Sequence, residues 1–186
     1  MNTSGYECES TTDSPAFVGY PTGAADAGDR RSYGWGMIGC MAAMPSRLSV
    51  VTIGARDLPT LRSFYRALGW SELSVSDETW SAFLLGGALL ALYPLPALAA
   101  EAASGVSEPA GGWSGVTLAC NVDNREQVDT AFATAVQAGA TVVTEPTDRS
   151  WGGRSAYIAD PEGNRWEIAW ARTALFDERG ALVSFG

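Results

Sequence analysis

Apolar and polar positions recur regularly along this chain from about residue 46 onward. The clearest stretch is Trp151–Trp170, WGGRSAYIADPEGNRWEIAW, which predicts two antiparallel strands joined by a tight turn at Asp160-Pro161-Glu162-Gly163-Asn164. Proline presets φ there, and Gly and Asn tolerate positive φ. Side chains alternate along a strand, so Trp166, Ile168 and Trp170 share one face while Arg165, Glu167 and Ala169 share the other. Upstream, Leu48–Gly54 is rich in β-branched residues and reads as a strand. Asp57 suits a helix N-cap with Pro59 just inside the start; Leu58, Leu61, Phe64, Tyr65 and Leu68 fall at helical spacing, and Gly69 closes the helix. Three short strands are expected near Glu72–Ser76, Trp80–Leu85 and Ala88–Tyr93, with Gly86-Gly87 turning between the last two.

The pattern then repeats. Gly115–Asn121 reads as a strand, Asp123 or Asn124 caps a helix through Val128, Phe132, Ala135 and Val136, and Gly139 ends it. A short strand Ala140–Thr144, a loop with Pro146 and the Trp151–Trp170 hairpin complete the second half. An internal duplication of this kind predicts an α+β fold: two tandem βαβββ modules, about 47–94 and 113–171, forming a curved mixed sheet around a concave cavity with helices outside. Linker 95–112 is expected to hold a helical turn or two across Ala97–Ala103, then loop. Residues 1–45 are rich in Gly, Ser, Thr, Asp and Ala without a sustained period, which predicts a disordered or non-native extension. Met41 and Met44 directly precede the ordered pattern and offer alternative starts. Arg30-Arg31 followed by Gly36–Cys40 faintly resembles a twin-arginine lipoprotein signal, but its apolar part is too short and glycine-rich. The tail, Ala171–Gly186, reads as a short hairpin or an arm lying on a neighbour.

Strand parity separates two faces. Val51, Ile53, Leu90, Leu92, Val116, Leu118, Trp166 and Ile168 are all apolar, as expected beneath helices. The opposite parity is small or polar: Val50, Thr52, Gly54, Leu89, Ala91, Tyr93, Thr117, Ala119, Asn121, Arg165, Glu167 and Ala169. A sheet face of small residues with a few convergent polar groups describes a cavity. Glu167 sits mid-strand there, and a carboxylate in that position needs a partner, a cavity or a metal.

Composition narrows the chemistry. The net charge of -9 argues against nucleic acid or an anionic membrane surface as a partner. All 12 basic residues are Arg, and there is no Lys or His. That removes a His general base, Ser-His or Cys-His nucleophiles, a Lys Schiff base and every His-containing metal site. Cys8, Cys40 and Cys120 are odd in number and without CxxC spacing, so neither a disulfide framework nor a zinc cluster is expected, and a reducing cytoplasm is the simplest home. The charge-free stretch Thr79–Ala100 is cut by Gly86-Gly87 and by Pro94 and Pro96 into pieces too short to cross a membrane; it reads as a buried hairpin and a short helix.

The stretches VTIGARDLPTLRSFYRALGW, GVTLACNVDN and ADPEGNRWEIAW, taken in order, resemble the vicinal oxygen chelate superfamily, which includes glyoxalase I, extradiol dioxygenases and bleomycin-resistance binding proteins. The resemblance covers about residues 46–185 and implies that family's homodimers. Its metal-dependent members hold a divalent ion with one His or Glu from each of four strands. Those positions correspond here to Val50, Ala91, Thr117 (or its neighbour Val116) and Glu167. Only Glu167 keeps ligand character, and one carboxylate without His does not make an octahedral site, so no cofactor, divalent metal included, is expected.

Two readings follow. The first is a metal-free small-molecule binding protein of the sequestering or resistance type, holding a cationic or aromatic organic ligand through Thr52, Tyr93, Thr117, Asn121, Trp151, Tyr157, Arg165 and Glu167. The second is a lyase, isomerase or dioxygenase using Glu167 as a base or as the sole remaining metal ligand. Bland alternatives stand beside both. Glu167 could pair only with Arg165 or Arg154, Asn121 could satisfy a strand end, and Tyr93, Tyr157, Trp80 and Trp113 could be core. Trp151, next to Gly152-Gly153, suits a lid at the cavity mouth. Cys120 has apolar parity and reads as an inert buried thiol.

Overall fold

The computed structural model describes residues 45–103, 105 and 113–185. The expectations for the N-terminal extension up to residue 44 and for loop 106–112 lie outside the described residues. In the first half, β1 (Val50–Ala55), α1 (Leu58–Ala67), β2 (Ser81–Leu85) and β3 (Ala88–Pro94) follow in order. Asp57 caps α1: its carboxylate accepts the Thr60 backbone N–H and the Thr60 hydroxyl, satisfying donors that the first turn leaves free. Leu58, Leu61, Phe64 and Tyr65 form the buried stripe of α1. The sheet order is β1-β3-β2, with β1 parallel to β3.

The strand expected at Glu72–Ser76 is reduced to one bridge, Glu72 to Phe83. Polar side chains in this segment compete with a ladder. Glu72 is held by Arg62 and Arg66 and accepts from the Ser81 hydroxyl. Asp77 folds back to accept the backbone N–H groups of Thr79 and Trp80. The helix expected in the linker starts earlier, as α2 (Leu95–Ala102). It lies against β1 because Gly54 has no side chain: a Cβ there would meet Leu95 Cδ1 at 2.6 Å. Among the described residues no helix is long and apolar enough to cross a membrane.

The second half contains β4 (Thr117–Asn121), α3 (Arg125–Gln137), β5 (Thr141–Asp148), β6 (Arg154–Ala159) and β7 (Arg165–Trp170) in the order β4-β7-β6-β5. The duplicated topology is therefore real: in each half the last strand pairs in parallel with the first. Asn124 is the cap of α3, accepting from Gln127 N, while Gln127 Oε1 accepts from Asp123 N in a reciprocal box. Pro146 lies within β5 rather than in a loop. It is tolerated because β5 is an edge strand and its register with β6 shifts on either side of Thr144.

The strands of the two halves form separate hydrogen-bonded sheets, and their helix-facing sides merge into one core. The predicted apolar parity holds for Val51, Ile53, Leu90, Leu92, Leu118, Trp166 and Ile168. Val116 departs from it: it precedes the strand, is 59% exposed, and its carbonyl accepts the Trp113 indole N–H. At the centre, Tyr65, Trp70, Phe83 and Trp166 pack as an aromatic group, with Trp70 and Trp166 centroids 5.3 Å apart. The Tyr65 hydroxyl donates to Asp160 at 2.7 Å and accepts from the Trp166 indole at 3.1 Å. Asp160, 2% exposed, also accepts from Glu162 N, Asn164 N and Asn164 Nδ2. Next to it, Glu162 accepts the backbone N–H groups of Arg56 and Asp57 at the start of α1.

The tail forms a hairpin of β8 (Leu175–Phe176) and β9 (Leu182–Ser184), and its turn is seated on the β2–β3 turn. A Cβ on Gly86 would lie 2.8 Å from the Gly180 carbonyl oxygen.

Replacing Tyr65 with Phe strips Asp160 of one donor and leaves the Trp166 indole N–H unpaired in the core. The expected loss is about 1–3 kcal/mol in urea unfolding. Burial, together with the adjacent Asp160 carboxylate, pushes the Tyr65 phenol far above its ordinary range. A raised folded pKa on an acid means that the folded state holds its proton longer, so stability is present below the unfolded value of about 10 and declines above it. Between pH 9 and 11, wild type should lose stability more steeply than Y65F; parallel slopes would refute this placement of Tyr65.

Candidate functional site

β7 builds the floor of the site. Glu167 lies between Ala119 of β4 and Tyr157 of β6 in register, and the alternation that buries Trp166 and Ile168 turns Glu167 to the other face. Together with Asn121, Ala119 and Ala169 it lines a cleft of about 1480 Å³. The remaining walls come from the β2–β3 turn, from Trp151 and Gly152 between β5 and β6, and from the tail.

Glu167 is half-buried and makes no ion pair with Arg154, whose guanidinium is taken by Asp129 and Asp148. Its neighbour is Tyr157. Burial, and then the hydrogen bond to the Glu167 carboxylate, raise the Tyr157 phenol above its ordinary value, with Arg149 acting in opposition. Arg149 stands 5.6 Å from the Tyr157 ring centroid, and its Nε donates to the Ser155 hydroxyl at 2.8 Å. The result is a row of Glu167, Tyr157 and Arg149. Arg149 and Ser155 were not among the expected site residues, although Ser155 has the same parity as Tyr157. Arg149 needed the β5–β6 turn, where its N–H donates to the Gly153 carbonyl.

Trp151 projects at the tip of that turn, 54% exposed. Its indole folds over Gly153, where a Cβ would lie 1.7 Å from the ring. Asn121 is half-buried at the end of β4, and its amide has no partner among the described residues. Of the eight binding residues expected from the sequence, Asn121, Trp151 and Glu167 therefore meet in the cleft, and Tyr157 adjoins it through Glu167. The other four lie outside its lining. Thr52 is exposed on β1, Tyr93 donates to Glu101 of α2 at 3.2 Å, and Thr117 and Arg165 pair with each other in register.

Cys120 is exposed rather than buried. β4 is an edge strand, and α3 packs over β5, β6 and β7, leaving the edge uncovered. The metal positions of the family also fall apart here. Val50 and Ala91 carry no donor and do not line the cleft holding Glu167, and Thr117 offers only a hydroxyl. Among the described residues no three His, Cys, Asp or Glu converge. This donor set does not fit a divalent ion, whose carboxylate and imidazole ligands must come several at a time.

Residues 47–168 match the family model described as Glyoxalase/Bleomycin resistance protein/Dioxygenase superfamily. A glyoxalase-related enzyme from Fulvimarina pelagi has a similar structure, with a TM-score of 0.68 and 25% identity, covering 75% of this chain and 98% of that one. A glyoxalase/bleomycin resistance protein/dioxygenase family enzyme from Burkholderia phytofirmans gives a TM-score of 0.61 and 27% identity, over 67% of this chain and 98% of that one. An uncharacterized Mycobacterium bovis protein is 43% identical over 58 residues, which is 31% of this chain and 38% of that protein. The family match spans both halves of the duplication and ends on the strand that carries Glu167, and the chain belongs to the Glyoxalase/Bleomycin resistance protein/Dioxygenase superfamily.

Proposed function

We propose that this chain is a metal-independent small-molecule binding protein of the superfamily, of the sequestering type. The observation behind it is the cleft itself: Glu167 on a floor of small residues, with mostly apolar walls to which the tail adds Arg172 and Arg179. With Arg179 of the wall held by Asp177, Glu167 on the floor offers an acceptor to a cationic or hydrogen-bond-donating group, and Trp151 offers an aromatic surface to a flat ligand. Ligand pockets combine a mostly apolar lining with a small number of polar groups in this way. The protein acts as a homodimer in the cytoplasm in this proposal. The free edges of β1 and β4, with Val50 and Cys120 exposed on them, give a physical motive for pairing.

A second reading draws on Asn121. Glu167 as a base and the Asn121 amide, without a partner among the described residues, as a donor to the developing enolate oxygen would suit proton abstraction next to a carbonyl. Deuterium incorporation into a ketone substrate in D₂O, lost in E167Q, is the result that would favour it over simple binding.

Matched probes test the binding reading. 1-Naphthylmethylammonium should quench tryptophan fluorescence at lower concentration than 1-naphthalenemethanol, and chelator should change neither titration. E167Q should weaken the ammonium probe by about tenfold, ~1.4 kcal/mol, and leave the alcohol unchanged. Equal affinity of the two probes for wild type would remove Glu167 from the site. Native mass spectrometry should give twice the chain mass; a monomer at micromolar concentration would overturn the dimer.

A further inference from the structure

The family match stops at residue 168, yet one wall of the cleft is built from residues beyond it. Phe176 and Leu182 are cross-strand partners in the β8–β9 hairpin, and both line the cleft, with Phe185 following. Leu175 and Val183 have the opposite parity and do not line it. The hairpin's own turn is closed by Asp177, which accepts from Arg179 N and Ala181 N and pairs with the Arg179 guanidinium. Its seat is nearly bare backbone: Gly86 lies against Gly180, and a Cβ on Gly87 would meet the Ala181 Cβ at 3.3 Å. The element is thus seated turn against turn, and its apolar pair lines the cleft.

We propose that this hairpin is the specificity wall of the cleft, with Phe176 and Leu182 selecting a ligand that carries a flat or alicyclic apolar body behind a single cationic or hydrogen-bond-donating head. The inference rests on the binding reading of the Glu167 site and adds the class of ligand. The floor offers the Glu167 carboxylate and the Asn121 amide to the head, and the tail, which also brings Arg172 and Arg179 to the lining, offers apolar surface to the body through Phe176, Leu182 and Phe185. The cleft volume, about 1480 Å³, exceeds the ~300–1,000 Å³ of ordinary ligand pockets, so a compact polar molecule does not fill it. The apolar surface that such a ligand removes from water scales with its contact on this wall.

The test compares 1-naphthylmethylammonium with methylammonium, which has the same kind of head and no body. Wild type should bind the naphthyl probe at least tenfold more tightly. In the double variant F176S/L182S that preference should shrink about tenfold while the E167Q effect persists. Leu182 is 51% exposed and Phe176 is half-buried at the edge of the cleft, so the double variant should stay folded with only a small fall in its unfolding midpoint. A second variant, Gly87→Leu, wedges against Ala181 at a position outside the left-handed region; it should produce the same loss together with faster amide exchange across residues 175–184. Unchanged naphthyl affinity in both variants, with E167Q still weakening the probe, would overturn the wall and leave the binding reading standing. Failure of wild type to bind either naphthyl probe would overturn both. Dissociation of a dimer by F176S/L182S without loss of probe affinity would show that the wall faces a second copy instead, and would also overturn the proposal.

Discussion

The buried carboxylate of Asp160 is the constraint on which the rest of the molecule depends. A charge at 2% exposure is stable only if its hydrogen-bonding capacity is filled, and Asp160 fills it from two directions. Three donors come from its own turn, which fixes the geometry of the β6–β7 hairpin. The fourth is the Tyr65 hydroxyl, from the helix of the other half. Tyr65 in turn receives the Trp166 indole, one residue before Glu167. The register of β7 is thereby tied to the core, and a slip of one residue would turn Glu167 toward the aromatic group.

Glu162 strengthens the same joint by capping the start of α1 from the same turn. Among the described residues the two halves share no strand pairing, and this turn and the merged aromatic core join them. A duplicated module that cannot cover its own sheet gains stability in this way.

Most carboxylates with resolved contacts are structural. Asp57 caps a helix, Glu72 draws in Arg62 and Arg66, Asp129 and Asp148 grip Arg154, and Asp177 closes the tail turn. Glu167 differs because its neighbours are alanine, a phenol and open cleft. That contrast leaves Glu167 available to a ligand, and the tail supplies apolar surface that the alanine floor lacks.

Local rules carried much of this structure in the sequence. Asp57 was readable as a cap, and Asp123 or Asn124 as the second, because capping is settled within four residues, and the DPEGN turn was readable from its own φ preferences. Period two sorted Ile168 from Glu167 and Ala169 and so pointed to the face of β7 that carries the site, whereas the matching face of β3 at Ala91 does not line the cleft. Three things required the tertiary structure. Whether Glu72–Ser76 would pair as a strand depended on Arg62 and Arg66 from another element capturing Glu72. Whether Cys120 would be covered depended on where α3 came to rest. The wall of the cleft depended on two glycine turns, distant in the chain, touching at Gly86 and Gly180. Periodicity and capping are properties of neighbours along the chain, so the sequence determined the elements, their faces and the location of Glu167. Contacts between distant segments leave no period to read, and only the tertiary structure decided which of the candidate residues share a cleft and that the tail closes it.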